Sequence, residues 1–221
     1  MSTQDRKSRE FERRGQEILA AALELFQSDD WEGVTVEQIA HKAEVGKGTI
    51  YKHFASKDEI YARLAIQFQL RIANRMQEVD PSLPVIERFR CYMEAAWDMH
   101  LTSKEMHRVF LYCSRAEFRS RLPAGLLADI MKVERKVATP THHLVMEGIR
   151  QGVFPDKPLA LLLFGAQAAF WGAIQLIWSG YLGEIDRSKY LEAMTDFVIA
   201  GLVHNARPIM ATEGKVSTAQ A

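Results

Sequence analysis

The chain has 221 residues, 48% hydrophobic and 25% charged, a composition typical of a globular protein with ample chain for a packed core. Its 28 basic and 28 acidic residues cancel, which excludes a protein that coats DNA through net charge alone. Two cysteines cannot form a disulfide framework, and the charged first segment does not resemble a secretory signal. These features predict a cytoplasmic protein.

The first ten residues are polar and charged, and we expect them to form a disordered arm with basic residues at Arg6, Lys7 and Arg9. Two interpretations of this arm stay open: contact with the backbone or minor groove of DNA, or a solvated run of charge. Apolar residues then recur at helical spacing from Phe11 to Phe26 and predict the first helix.

The stretch from Thr35 to Lys57 predicts two short helices joined by a tight turn, as in a helix-turn-helix. Thr35 is a good N-cap for the first helix, and Gly46 interrupts the pattern before a second helix from about Lys47 to Phe54. Helices this short are not stable alone. The outward face of the second carries cationic and hydroxyl side chains that suit contact with phosphates and bases. The alternative is a solvated helix hairpin with incidental lysines.

The run from Glu17 through Tyr61 resembles the DNA-binding domain of TetR/AcrR-type transcriptional repressors, through the segments ILAAALELF, TVEQIAHKAEV and GTIYKHFASKDEI. Two positions depart from the pattern of that family: Glu44 stands where glycine is usual, and Gly46 where serine or threonine is usual. The resemblance implies a DNA-contacting role for eight residues: Thr35, Lys47, Gly48, Thr49, Tyr51, Lys52, His53 and Lys57.

Helical spacing also dominates the rest of the chain. Ser56 is the expected cap of a fourth helix, and further helices are predicted near 84–102, 104–118, 123–151, 158–181 and 187–206. We therefore expect an all-α fold in three parts: an arm and DNA-binding domain over 1–55, a helical ligand-binding and dimerisation domain over 56–206, and a disordered tail over 207–221.

In the family that the chain resembles, the C-terminal helices enclose an inducer pocket, so aromatic-rich segments are candidates for its lining. The predicted ligand-binding residues are Phe89, Met93, Trp97, His100, Phe110, His142 and Phe170. This mainly apolar set favours an aromatic or acyl effector. His100 also lies on the buried stripe of its helix, so a core histidine without a ligand remains the alternative.

Residues 158–183 carry no charge and are long enough to span a bilayer, but small residues on one face favour close packing with another helix. The resemblance implies that the last two helices pair with their copies in a homodimer. The predicted interface residues are Gly165, Ala169, Gly172, Met194, Phe197, Val198 and Gly201.

No metal-ligand spacing, phosphate loop, nucleophile elbow or HExxH motif is present in the sequence. We therefore expect no metal, no cofactor and no enzymatic activity. The sequence predicts a dimeric repressor that a small hydrophobic effector releases from a palindromic operator. The alternatives are a helical small-molecule-binding or enzymatic protein with a structural helix-turn-helix, and a DNA-binding activator without ligand control.

Overall fold

The computed structural model describes residues 3–204, which form ten α-helices and no strand. The predicted tail over 207–221 lies outside these residues. The helices are α1 (Thr3–Leu25), α2 (Val36–Lys42), α3 (Lys47–His53), α4 (Lys57–Gln77), α5 (Val85–Thr102), α6 (Lys104–Ser114), α7 (Ala116–Arg119), α8 (Ala124–Arg150), α9 (Leu159–Trp178) and α10 (Arg187–Val203). The all-α prediction is confirmed.

The helix expected over 104–118 is divided into α6 and α7 at Arg115, whose ψ of 140° places it in the extended region. A residue with this backbone conformation cannot continue an α-helix. The helix expected over 123–151 runs without interruption through Pro140, where the proline ring can donate no backbone hydrogen bond.

The expectation of disorder over the first ten residues is wrong from Thr3 onward, because α1 begins there. Side chains one turn apart hold this segment together: the Arg9 Nε donates to the Asp5 carbonyl, and the Ser8 hydroxyl lies 3.4 Å from a Glu12 carboxylate oxygen. Arg13 bridges to Glu10 in the same way. Pairs at this spacing each add a few tenths of a kcal/mol to helix stability. Together they favour the helical conformation in this polar segment.

The helix-turn-helix is closed by a capping box at its start and a left-handed residue in its turn. The Thr35 hydroxyl accepts from the Gln38 N–H while the Gln38 side chain accepts from the Thr35 N–H. In the turn, Glu44 has a φ of 53°, the conformation that favours glycine. Gly46 then precedes α3 as its N-cap and makes no side-chain hydrogen bond. The backbone at Glu44 is thus the one that the glycine usual in the family adopts more easily.

The chain divides into two compact units, the first made of residues up to Ser82 together with Cys91–Thr141. In this unit α1 packs on α2 and α4, and α4 packs along α6. Aromatic rings link these helices: Phe26 stacks on Tyr61 at 4.7 Å, and Trp31 meets Tyr112 edge-on at 5.4 Å. One apolar core therefore joins the helix-turn-helix to α4 and α6.

The second unit comprises Leu83–Arg90 and the chain from His142 onward. Its main contact is the packing of α9 along α10. The first turns of α5 belong to it, because Phe89 meets Phe154 edge-on and Arg90 pairs with Asp196 at 2.7 Å.

Candidate nucleic-acid interface

The α3 helix reaches the core of its unit through Ile50 and presents several polar side chains outward. Ile50 is only 1% exposed, whereas Lys47, Tyr51 and Lys52 are exposed and Thr49 is half-buried. Nothing lies within 4 Å of the position that a Cβ of Gly48 would occupy, so a DNA strand can approach the backbone there. The helix thus offers one continuous polar face of the kind that enters a major groove.

Lys47 is already paired within the chain, because its ammonium donates to the Glu37 carboxylate of α2. This hydrogen bond raises the pKa of Lys47 and lowers the pKa of Glu37, so both groups are charged at neutral pH. The same ammonium lies 5.9 Å from the centre of the Tyr51 ring. A phosphate that binds Lys47 must therefore compete with a neighbouring carboxylate.

The other lysines of the series differ in their surroundings. Lys57 is half-buried, and its ammonium donates to the backbone carbonyls of Glu32 and Val34 at 2.6 and 2.9 Å. Lys52 is exposed and makes no hydrogen bond or ion pair with any residue of 3–204. Lys52 therefore has all three donors available for phosphate, and Lys57 retains one.

His53 and Thr35 flank this face and also have structural roles. The His53 ring stacks on Phe11 of α1 with centroids 3.9 Å apart. Burial, followed by the charge of Arg14, lowers the pKa of His53, so at neutral pH its ring is uncharged and donates one hydrogen bond. The Thr35 hydroxyl is exposed but serves as the cap of α2. Six of the eight predicted DNA-contacting residues lie on α3, while Thr35 is the N-cap of α2 and Lys57 is the first residue of α4.

A narrow cleft lies among α4, α6 and α8 within the first unit. It measures about 10 Å³, room for about one water molecule, and its walls are mainly apolar. Gln69 is only 7% exposed, lines this cleft and makes no hydrogen bond with any residue of 3–204. Its amide atoms keep some contact with solvent, because within residues 3–204 the Trp178 indole nitrogen is the only side-chain nitrogen or oxygen that is fully buried without a hydrogen-bond partner. The residues lining the cleft are Ala65, Ile66, Gln69, Phe110, Cys113, Ser114, Arg119, Ile130 and Val133.

Phe110 is the one predicted ligand-binding residue on this cleft. Gln69 and Ser114 were not predicted, because a single glutamine or serine on an amphipathic helix gives no signal of a cleft. The other residues of the cleft come from α6, α7 and α8 as well as α4. Arg119, for example, pairs with Glu134 and donates to the Cys113 carbonyl.

His100 lies in the core of the first unit, 4% exposed, with its Nδ1 3.1 Å from the Nδ1 of His107. The rings of Phe68 and Phe110 meet it edge-on. This geometry favours the alternative of a satisfied core histidine over a ligand contact. Of the remaining predicted ligand-binding residues, Met93 and Trp97 are buried in the first unit, while Phe89 and Phe170 are buried and His142 is exposed in the second.

The predicted dimer residues lie on α9 and α10. Five of them line a groove of about 220 Å³: Gly165, Ala169, Phe197, Val198 and Gly201. Gly165, Gly172 and Gly201 are exposed, and no atom lies within 4 Å of a Cβ added to any of them. Phe197 is 65% exposed, which is unusual for so large an apolar side chain. The remaining members are the half-buried Ala169 and Met194 and the buried Val198.

Within residues 3–204, α9 is long and apolar enough to cross a membrane, with a mean hydropathy of 1.7, and 22% of that stretch is buried. The same residues contain no group of three or more histidine, cysteine, aspartate or glutamate side chains placed to hold a metal ion.

Comparison with known proteins places this geometry in a family. The sequence pattern of the bacterial regulatory proteins of the tetR family matches residues 18–64, which include α2, α3 and the first turns of α4. The transcriptional activator FasR of Mycolicibacterium smegmatis is 36% identical over 76% of this chain and 83% of its own length. The transcriptional regulator YhgD of Bacillus subtilis is 24% identical over 85% of this chain and 96% of its own.

The fold agrees with this assignment. The TetR family regulator PfmR of Thermus thermophilus superposes with a TM-score of 0.68 and 20% identity, over 84% of this chain and 98% of that one. Another TetR family regulator, from a Shewanella species, gives a TM-score of 0.66 at 19% identity, over 86% of this chain and 97% of that one. The chain belongs to the TetR family of transcriptional regulators, helix-turn-helix proteins that bind DNA and are not enzymes.

Proposed function

We propose that the protein is a homodimeric cytoplasmic repressor that binds a palindromic operator and leaves it when a small, mainly hydrophobic effector binds. The observation that carries this proposal is the outward face of α3, where Lys47, Tyr51 and Lys52 are exposed beside the unobstructed backbone of Gly48. This outward face is not needed to hold α3 in place, because Ile50 packs into the core and the His53 ring stacks on Phe11.

The contacts divide into two kinds. Thr49 and Tyr51 are placed to read base edges, since they occupy the middle of the helix that enters the groove. The lysines, His53 and Thr35 hold phosphates, which fixes the position of the protein without reading the sequence. Lys52 contributes most to this positioning, because it breaks no internal pair on binding DNA.

The exposed apolar faces of α9 and α10 support dimerisation. Leu161, Phe164 and Phe197 are all more than half exposed, and the glycines between them leave room for a second helix pair. Pairing with a second copy gives a four-helix interface and accounts for the apolar character of α9 without a membrane. It also supplies two reading helices for two half-sites.

The cleft at Gln69 supports effector control. A ligand larger than water fits there only if Phe110 and the walls of α4 and α6 move apart, because the cleft measures about 10 Å³. The α4 helix directly follows the helix-turn-helix, and α1 packs on it. An aromatic or acyl effector with one polar group facing the Gln69 amide therefore acts on α4, the helix that connects to the helix-turn-helix.

A gel mobility shift on the promoter DNA beside the protein's own gene tests the DNA-binding part. We expect one shifted complex that weakens with salt, and a footprint with two-fold symmetry. A symmetric footprint that disappears when co-purifying small molecules are added back supports effector release. Binding that is independent of DNA sequence contradicts the proposal.

Transcriptional activation is the second candidate, favoured because the relative FasR is named an activator. A reporter driven by the same promoter separates the two. Deleting the gene for this protein raises reporter output if the protein is a repressor and lowers output if the protein is an activator.

A further inference from the structure

A groove lies at the edge of the reading head, which is the helix-turn-helix formed by α2 and α3. It measures about 510 Å³ and lies where the first turns of α1 pass the C-terminal end of α3. The residues that line it are Arg6, Lys7, Glu10, Phe11, Arg14 and His53.

The groove has an aromatic floor. Phe11 is 53% exposed, although its ring stacks on His53 at 3.9 Å with an interplanar angle of 23°. Phe11 thus fixes α1 against the last residue of the reading helix while one face of its ring stays open. Aromatic and apolar faces of this kind pack well against sugar rings and bases.

The charge of the groove is positive. Arg6 and Lys7 are exposed and make no hydrogen bond or ion pair with any residue of 3–204. Arg14 forms an ion pair with Glu17 at 2.9 Å. The one acid that lines the groove, Glu10, is bonded to Arg13 one turn later through contacts of 2.5 and 3.2 Å. Arg6 and Lys7 therefore line a groove whose one carboxylate, Glu10, is already paired with Arg13.

The placement of the groove identifies its partner. Lys7, Phe11 and Arg14 lie at helical spacing on one side of α1, in line with the buried Ile18. This is the side that packs toward the helix-turn-helix, and the groove ends at His53 of α3. A cationic surface continuous with a DNA-reading helix complements the strand that leaves the major groove.

We propose that the N-terminal turns of α1 form a second DNA-contacting surface, in which Arg6 and Lys7 bind phosphates flanking the base pairs read by α3 and Phe11 packs against the adjoining sugar. The proposal rests on the DNA-binding function described above. It makes the first turns of α1 a rigid extension of the reading head in place of a loose arm.

The test measures salt dependence on two duplexes. One carries the footprinted operator with its flanking sequence, and the other keeps only the two half-sites read by α3, without their flanking phosphates. Each lost phosphate contact lowers the slope of log K against log salt by about 0.9. Because each subunit of the proposed dimer carries both residues, we expect the double variant Arg6→Ala/Lys7→Ala to lose about four times that on the long duplex, and to bind the trimmed duplex like the parent protein.

Two controls separate the groove from general charge effects. Lys136→Ala removes an exposed lysine of α8 that does not line the groove, and it should leave both slopes unchanged. Arg6→Lys/Lys7→Arg keeps the charges and should keep the slope. Equal thermal midpoints for all variants confirm that folding is intact, as expected for exposed positions.

An unchanged slope for Arg6→Ala/Lys7→Ala on the long duplex overturns the proposal. So does an equal loss on both duplexes, because the lost contacts then lie within the central base pairs. Failure of the parent protein to bind either duplex contradicts the DNA-binding function itself, a different result from either of these.

Discussion

Lys52 and Lys57 show how identical residues of one motif acquire different roles. Both belong to the segment that carries the family resemblance, and both were predicted to contact DNA. Lys52 is free of any partner within residues 3–204, whereas Lys57 holds two backbone carbonyls. The two therefore make separable predictions.

For Lys52→Ala we expect weaker binding to every DNA sequence, because a phosphate contact carries no sequence information. The slope of log K against log salt should fall in magnitude by about 0.9 for each subunit of the bound dimer, while the thermal midpoint stays unchanged. Fluorescence anisotropy at several salt concentrations measures the slope. A loss of affinity confined to the operator would instead mark Lys52 as a base reader.

For Lys57→Met we expect a loss of stability. The carbonyls of Glu32 and Val34 lose their donor, and each such loss costs about 1 kcal/mol, partly relieved by water at this half-buried site. Urea unfolding compared with Lys52→Ala measures the difference. If Lys57→Met proves as stable as the parent protein, these hydrogen bonds do not hold the 3₁₀ turn (Trp31–Gly33) to α4.

Periodicity predicted the long helices closely, because apolar spacing determines which face of a helix is buried. It could not predict that α1 starts at Thr3, since the ion pairs that stabilise those turns belong to a polar sequence that also suits a disordered arm. Nor could it find the pairing of Lys47 with Glu37, which depends on the angle between α2 and α3. Gln69 was missed for the same reason: its cleft exists only where three helices meet.

The α5 and α6 helices share the buried His100–His107 pair, which predicts acid sensitivity. Burial lowers the pKa of His100 to about 3 and of His107 to about 4, with the His107 charge adding to the effect on His100. In the unfolded chain both histidines take up protons near pH 6.5. Between that pH and about 4 the unfolded state binds more protons than the folded state, so stability falls as pH falls.

The double variant His100→Phe/His107→Leu should flatten the stability profile between about pH 4 and 6.5, because neither new side chain takes up protons. Urea unfolding at several pH values measures this. His143→Gln, which replaces an exposed histidine of α8, serves as the control and should keep the slope of the parent protein. A double variant with an undiminished slope would mean that other groups cause the acid sensitivity.

On α4, Gln69→Leu tests the cleft by removing the unpaired amide at similar volume. We expect the stability of the variant to change little, because the Gln69 amide atoms are not among the fully buried unpaired polar atoms of residues 3–204. Operator affinity should stay the same, and release by co-purifying small molecules should weaken. Ile66→Leu, on the same cleft but without a polar group, should leave release intact. Normal release from Gln69→Leu would place the effector elsewhere.

At the scale of the whole molecule, Gly172→Leu tests the proposed dimer. The added side chain meets no atom within 4 Å of its Cβ in the single chain, so the fold of one subunit accepts it. Two helices approaching to about 8–10 Å across an interface cannot. We expect light scattering to report a monomer, and operator affinity to fall because two half-sites no longer bind together.

Gly125→Leu provides the matched control, because Gly125 is also an exposed helical glycine with open space around its Cβ, on α8. It should remain dimeric. A dimer that survives Gly172→Leu would show that this face of α9 is not the interface.

The internal pairing of the motif lysines has a consequence for the search along a chromosome. Lys42 is bonded to Glu24, Lys47 to Glu37 and Lys57 to two carbonyls, so these three lysines hold random sequence less strongly than lysines without a partner would. A regulator competes against millions of non-operator sites, and its occupancy depends on the ratio of the two affinities. Low affinity for those sites leaves more molecules unbound or on the operator, so a small number of copies per cell is enough to occupy it.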